Sequence, residues 1–582
     1  MMTWKQKLAE TARRNRVELV DAKLSRRDLF KIGLLPSGGV LVAKAGLSAR
    51  AADAKAVVSP KTRPWVEEIT NLPVAASSSP SEMKDYAPTE VVQTALGERR
   101  RTQHDSWPTT RAEDIACYEL VNAPAAHRWH RDLPADDCWA LNGQFPGPRI
   151  HARANKPVLI RWRNNLPSLA AHKGYGRPTP TIHLHNSHSA AESDGHPEDM
   201  LESGCWKDCL YLNRAAGFTD PKYGPMGDVR ETLTTMWYHD HCHDFTAQNV
   251  YRGNMGLYYN FTEFDSGDEN DPNPKAWRLP SGDFDVPLVI HDRLFGPDGK
   301  GYYDLFNLDG AIGDKMTVNG KVEPFMRVAP RKYRFRILNM GPSRFYNLFL
   351  SNGMDMVQLT HDGNFLPRPL TTKTIRFAVG SRVDAIIDFS KVPATTREIF
   401  IVNCCDQKDG RGPTGKILPL ALGTKVLKFV IDRTIDTKGD PSRIPATLLE
   451  LPPAPRAEVV TERTFIWNRS NGAWAVNGEY YDPHKYMAEP KLGTAEIWNF
   501  VNNSGGWMHP IHAHHEEHQI LLRNGRTPPL DEIAREDVTW LGHGETVKTF
   551  RRFRDYTGSY VAHCHNVVHE DHGMMFQWKI KP

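Results

Sequence analysis

Apolar residues along this chain come in short runs rich in Val, Ile, Tyr and Phe, separated by turn residues. No long stretch keeps the three-to-four-residue rhythm of an amphipathic helix. Short apolar runs bounded by frequent Gly and Pro predict strands joined by turns, and therefore an all-β chain. The pattern also repeats. Leu141-Asn142-Gly143 with Pro146, Val318-Asn319-Gly320 with Pro324, and Val476-Asn477-Gly478 with Pro483 open three similar segments. Asn-Gly is the pair that a tight hairpin turn favours. Each segment then reaches an apolar run closing on Asn: Val158 to Asn165, Tyr333 to Asn339, and Ile497 to Asn503. The intervals are of domain length, not solenoid length, so three related β-sandwich domains are expected. Their expected spans are 111–275, 276–440 and 441–582, cut within the Asp-, Asn- and Pro-rich stretch Ser266 to Pro280 and near the prolines of Asp440 to Glu458.

The first fifty residues break the pattern. They are rich in Lys and Arg up to Ser25-Arg26-Arg27-Asp28-Leu29-Phe30-Lys31, turn weakly apolar from Ile32 to Leu47, and end in Ala49-Arg50-Ala51, a small-residue cleavage pattern. This resembles a twin-arginine export signal over residues 1–51, which predicts a periplasmic or secreted protein. The apolar part is interrupted by Pro36 and Lys44 and is too short to span a bilayer. Residues 52–110, with much Ala, Ser, Pro and charge, read as a linker or a surface arm.

Charge narrows the function little. A net +4 from 73 basic and 69 acidic residues gives no reason to expect a nucleic-acid partner. Eight cysteines are too few for a disulfide scaffold in a chain of 582 residues. Cys205 with Cys209, or Cys117 with Cys138, are candidate pairs after export, and the connectivity stays open.

The 25 histidines carry the chemistry, because many fall in four clusters. His183-Leu184-His185 and His239-Asp240-His241 lie in the first expected domain, and His509-Pro510-Ile511-His512-Ala513-His514 and His563-Cys564-His565 in the third. On a strand, residues i and i+2 share a face, so each His-x-His pair offers two imidazoles to one side. One such pair is often mere hydrogen bonding. Four in matched positions predict a metal cluster enclosed by two domains. Cys564, between two histidines, must point the other way and so implies a second site. Two imidazoles and a thiolate with a weak axial Met make a blue-copper centre. Cys564, His509, His569 and Met574 supply that set, with neighbouring Met575 left to the core.

These clusters resemble the copper-binding motifs of the multicopper oxidases over nearly all of residues 140 to 582, closest to the branch of bacterial spore-coat laccases and bilirubin oxidases. The segment Asp283 to Asp292 and the run Pro330 to Arg336 support the likeness. The resemblance implies three cupredoxin-like Greek-key domains and four copper ions. It implies a type 2 copper on His183 and His512, and a type 3 pair on His185, His239, His241, His514, His563 and His565. It further implies that Asp194 and Glu570 relay protons to the oxygen being reduced, against the plainer reading of a turn Asp and a surface Glu. Two features depart from the family. His515-Glu516-Glu517-His518 is unusually polar and reads as a solvated loop end or as a place for a cationic substrate or metal ion; Cys242-His243 has no evident role.

The function implied is a laccase-like oxidation of small reducing substrates, one electron at a time, with O2 reduced to water. A monomer without a membrane span is expected. The middle domain has no His-x-His pair and reads as a spacer. Alternatives are a bilirubin oxidase or a metallo-oxidase acting on Mn(II), Fe(II) or Cu(I), the last disfavoured because the methionines are scattered. A copper-free structural relative is opposed by the full set of ligand residues, and a copper nitrite reductase would lack the His-Cys-His bridge.

Overall fold

A computed structural model describes residues 57–83, 91–93, 99–101 and 115–582 apart from 306, 471 and 472. The proposed export signal and much of the 52–110 stretch lie outside these. Strands pair into three couples of facing sheets. In the first, Asp136–Leu141, Ala116–His127, Val158–Asn164 and Trp206–Tyr211 face Gly147–Arg153, Met255–Phe261, Thr235–Asp240 and Ile182–His185. The second couple is built from strands between Asp285 and Ile431, and the third from strands between Val459 and Ile580. Each couple encloses its own apolar core, centred on Leu120 and Ile160, on Phe335 and Phe429, and on Trp498 and Phe576. The architecture is all-β and cupredoxin-like.

The internal repeat is visible in backbone detail. In each unit a long first strand runs parallel to a later one: Ala116–His127 beside Val158–Asn164, Asp285–Phe295 beside Lys332–Asn339, and Val459–Ser470 beside Thr494–Asn503. All three Asn-Gly turns have positive φ at both residues, which a type I′ turn requires. Each turn Asn then accepts a hydrogen bond from the first strand: Asn142 from Val121 N–H, Asn319 from Val289, Asn477 from Ile466, at 2.7 to 2.8 Å. Asn at these turns thus fixes the hairpin and pins it to the sheet.

Residues 57–83 run along the body. Their backbone bridges Phe325 from Glu68, Arg149 from Val74 and Cys117 from Ser78, so this arm touches both the middle and the first sheet couples. All eight cysteines are free and buried, so neither candidate disulfide is formed. Among the described residues no helix is long and apolar enough to cross a membrane.

Candidate metal centre

The histidine clusters converge where the first and third sheet couples meet. His183 and His185 lie on Ile182–His185, whose neighbour Thr235–Asp240 sets His183 opposite His239. In the third couple, His509–Ala513 pairs with Gly558–Cys564 and sets His512 opposite His563. His241, His514 and His565 sit one residue past their strand ends, still on the face set by the alternation. All eight histidines are buried. Their ring nitrogens group into sets lying within 4.8 Å of one another: His185, His239 and His565; His241, His514 and His563; and His183 with His512, sharing His185.

Hydrogen bonds at the back of each ring decide which nitrogen faces inward. His183 Nδ1 donates to the Asp194 carbonyl at 2.5 Å and His512 Nδ1 to the Asp537 carbonyl at 2.9 Å, so both turn Nε2 to the chamber. His239 Nδ1 donates to the Asp240 carbonyl. His185 is reversed: its Nε2 donates to the Asp537 carboxylate at 3.1 Å, and Nδ1 faces His239 Nε2 at 3.4 Å. His514 Nδ1 donates to Asp194 Oδ2 at 2.7 Å. Glu570 stands behind the second triad, with Oε1 3.2 Å from His241 Nδ1 and Oε2 2.9 Å from His563 Nδ1. Thr246 Oγ1, opening the helix Thr246–Arg252, donates to Glu570 at 2.6 Å. Asp194 and Glu570 are therefore buried groups holding the ligand rings, rather than a turn Asp and a surface Glu.

Cys564 points to the opposite face, as its place on the strand demands. Its Sγ lies 3.4 Å from His509 Nδ1 and 3.5 Å from His569 Nδ1, and the two Nδ1 atoms are 3.2 Å apart. The outer nitrogens are occupied: His509 Nε2 by Ser504 Oγ at 2.9 Å, and His569 Nε2 by the Asp309 carbonyl at 3.0 Å. Met574 is wholly buried in the same apolar cluster as Cys564, and its carbonyl accepts the Cys564 N–H. Met575 turns away to pack on Tyr481 and Val561.

Family models of the multicopper oxidases match residues 125–204, 300–415 and 452–582. A laccase of Bacillus subtilis is 31% identical over 80% of this chain and 95% of its own length. The chain is a multicopper oxidase. A bilirubin oxidase of Albifimbria verrucaria is also 31% identical, over 80% of this chain and 76% of that protein. A laccase structure from Pediococcus acidilactici superposes with a TM-score of 0.70 at 20% identity, covering 91% of this chain and 97% of that one.

The donors fit copper. His183 Nε2, His512 Nε2 and both nitrogens of His565 are buried without a hydrogen-bond partner. Such orphans cost about 1–3 kcal/mol each unless something answers them. Burial disfavours the charged form of His183, His185, His241, His512, His514, His565 and His569, and pushes His239 and His509 down to about 3. Neutral imidazole is the ligating form.

Two segments read differently from the sequence. His515-Glu516-Glu517-His518 is buried, not a solvated loop end. Glu516 pairs with Arg554, and Arg551 bonds both the Glu516 carbonyl and His518 Nδ1, while His518 Nε2 donates to Thr539. Arg554 also holds Glu231 of the first sheet couple. The polar run is therefore one half of an internal ionic seam, and its charge was misleading because the arginines come from a distant strand. His243 likewise bridges Glu198 at 2.6 Å and Asp244 at 3.1 Å, which gives that dipeptide a structural role. Sequence reasoning also missed Asp537 and Arg382. The Arg382 guanidinium grips both Asp537 oxygens at 2.8 and 2.9 Å, and neither residue belongs to a recognisable motif. The middle sheet couple is thus more than a spacer, since it supplies Arg382 and the Asp309 carbonyl to the two sites.

Proposed function

We propose that the chain is a laccase-like oxidase that would hold four coppers: type 1 on His509, Cys564 and His569 with Met574 as the weak fourth donor, type 2 on His183 and His512, and a type 3 pair on the triads His185/His239/His565 and His241/His514/His563. The observation that carries this is the division of the inward nitrogens into two triads and a pair, with Cys564 on the far side of the same strand. Bound copper supplies reversible one-electron storage. The chain does the rest. His563-Cys564-His565 is a continuous covalent bridge from the thiolate to both triads. Asp194 and Glu570, each hydrogen-bonded or ion-paired to ring nitrogens of the cluster, are placed to hold and pass the protons that oxygen reduction consumes. Four phenols each lose one electron and one proton, and one O2 takes up all four of each to give two waters.

Phenolic substrates are favoured over metal ions because Asp309, whose carbonyl bonds His569 of the thiolate site, has its carboxylate already paired with Arg469 at 2.9 Å. Export by the twin-arginine route to the periplasm or beyond is proposed on Arg26-Arg27 and its flanks, and a monomer is the proposed state. Purified protein is expected to contain four coppers and to absorb at roughly 600 nm, the charge-transfer band of a thiolate-bound blue copper. Cys564→Ser should abolish colour and turnover while circular dichroism stays unchanged. Parental phenol oxidation by that variant would refute the assigned electron path.

A further inference from the structure

The strands Gly147–Arg153 and Met255–Phe261 turn Ile150, Ala152 and Tyr258 into the core of the first sheet couple. Alternation therefore sends Arg149, His151, Arg153, Tyr259 and Phe261 to the opposite face, with His151 set beside Tyr259 and Arg153 beside Phe261. That face meets the middle couple, where Leu257 and Tyr259 share an apolar cluster with Val289 and Leu338. Next to this packing lies a cleft of about 410 Å3, lined by Arg149, His151, Arg153 and Tyr259 of the first couple, Asp285 of the middle one, and Asn71 of the arm. No ligand of the thiolate site or of the histidine chamber lines it.

The polar groups of this cleft are unanswered. Arg149 is only 9% exposed, yet its Nε bond of 2.8 Å to the Leu72 carbonyl is its one side-chain hydrogen bond, and no carboxylate among the described residues pairs with it. Asp285 cannot serve, because both its oxygens are taken by Arg336 at 2.8 and 2.7 Å. Arg153 is exposed and also lacks an acid partner among the described residues, and Asp283, the other acid of the lining, is exposed. His151 Nε2 and Tyr259 Oη are buried without a hydrogen-bond partner. Burial, with the charges of Arg149 and Arg336, pushes His151 down to about 4, so at neutral pH its ring is uncharged and carries one N–H. A buried cation without a counter-charge, beside donors without acceptors, is an unfavourable arrangement until something answers both. An oxyanion does so, since a guanidinium fork takes a carboxylate or a phosphate through two parallel bonds. The volume falls in the range of small-molecule sites and exceeds what a bare ion needs.

We propose that this cleft binds a small organic anion, whose carboxylate or phosphate head is held by Arg149 together with Arg153, His151 and Tyr259, and whose body lies between the first and middle sheet couples. The site is separate from both metal sites and does not depend on the oxidase reading. Its walls come from two couples and the arm, so an anion bound there favours the docked molecule over any state in which they part.

The test is titration calorimetry of copper-loaded protein with benzoate, with phenyl phosphate, and with benzamide, a neutral match for benzoate in shape. Both anions should bind and benzamide should bind at least about tenfold more weakly, the loss of a charge-assisted pair. The tighter of the two anions identifies the head group. Arg149→Gln should weaken both anions by about tenfold or more. Because Arg149 also holds the arm through Leu72, Arg153→Gln serves as a second variant on an exposed side chain. Its melting temperature without ligand should match the parent, while its affinity for both anions should fall. The copper absorption spectrum should not change on titration, which separates this cleft from anions entering the metal sites. Equal binding of benzoate and benzamide, or no binding of either anion by the parent, overturns the proposal. So does parental affinity in Arg149→Gln, or in Arg153→Gln should the first variant fail to fold.

Discussion

Glu570 shows how much one carboxylate is asked to do. It holds the Nδ1 sides of His241 and His563, behind the face their Nε2 atoms turn inward, and accepts from Thr246. Glu570→Gln keeps the volume but cannot deliver a proton, and its amide opposes one of the two ring N–H groups. Turnover in air should fall about a hundredfold, the scale of a lost general acid. Reduction of the thiolate site under argon should be nearly unaffected, so the variant should stand bleached during turnover. A variant that stays blue while turning over slowly would place the defect at substrate oxidation and remove Glu570 from proton delivery. At this scale the sequence was informative wherever strand alternation sets direction. His183, His185, Cys564 and their partners follow from a period of two. Which ring nitrogen faces inward does not, because His185 is turned by Asp537, a residue far away in sequence with no motif around it.

The strands are legible for the same reason, and the seams between them are not. Asp555, in the turn after Thr546–Phe553, reaches across to the first sheet couple, where it accepts from Gly217 N, Thr219 N and Thr219 Oγ1 and pairs with His188 at 2.7 Å. Both side chains of the pair are almost fully buried. Burial opposes charge on His188, but the hydrogen bond and charge of Asp555 outweigh it and hold its pKa above the ordinary 6.5. Burial also opposes the Asp555 carboxylate, and His188 and Thr219 overcome that, keeping it ionised below its ordinary 3.8. The His188 contribution is complete below 6.5 and fades as pH rises through its raised pKa. The Asp555 contribution is complete above 3.8 and fades as pH falls through its lowered one. Asp555→Asn should therefore cost about 3 kcal/mol, the lower end for breaking a buried pair, between those two values. Thermal melts of parent and variant from pH 3 to 9 should differ most between those two values, converge at the alkaline end, and begin to draw together at the acid end, where the lowered Asp555 pKa has not yet been passed. A gap independent of pH would mean that the backbone hydrogen bonds of Asp555, not the ion pair, hold this seam. No reading of a lone Asp near the end of a strand foretells such a bond, because its partners are set only when the two sheet couples dock.

The whole molecule is organised around that docking, and the middle sheet couple directs it. Arg382 is 0% exposed, yet its guanidinium meets the Asp537 carboxylate of the third couple and the Asp362 carbonyl of its own, with the Thr235 carbonyl of the first at 3.4 Å. Asp537 in turn orients His185 through its carboxylate and His512 through its carbonyl. One cation from a unit without metal ligands thus sets two rings belonging to two other units. A fork of fixed geometry is needed for this, and Lys, with one point charge, cannot reproduce it. Arg382→Lys should leave Asp537 partly unpaired and free to rotate, loosening His185 and His512 while His509, Cys564 and His569 keep their own supports. Copper should then be lost unevenly. The blue absorption per protein should stay close to the parent, whereas the electron paramagnetic resonance signal of the type 2 copper should drop, and turnover with it. Equal loss of both signals would indicate general destabilisation, and full retention of both at parental turnover would confine Arg382 to holding the domains together. The uneven outcome is expected because Asp537 bonds His185 and His512, whereas His509 and His569 are held by Ser504 and the Asp309 carbonyl, and Asp537 reaches that side through the pairing of Val538–Leu541 with His509–Ala513.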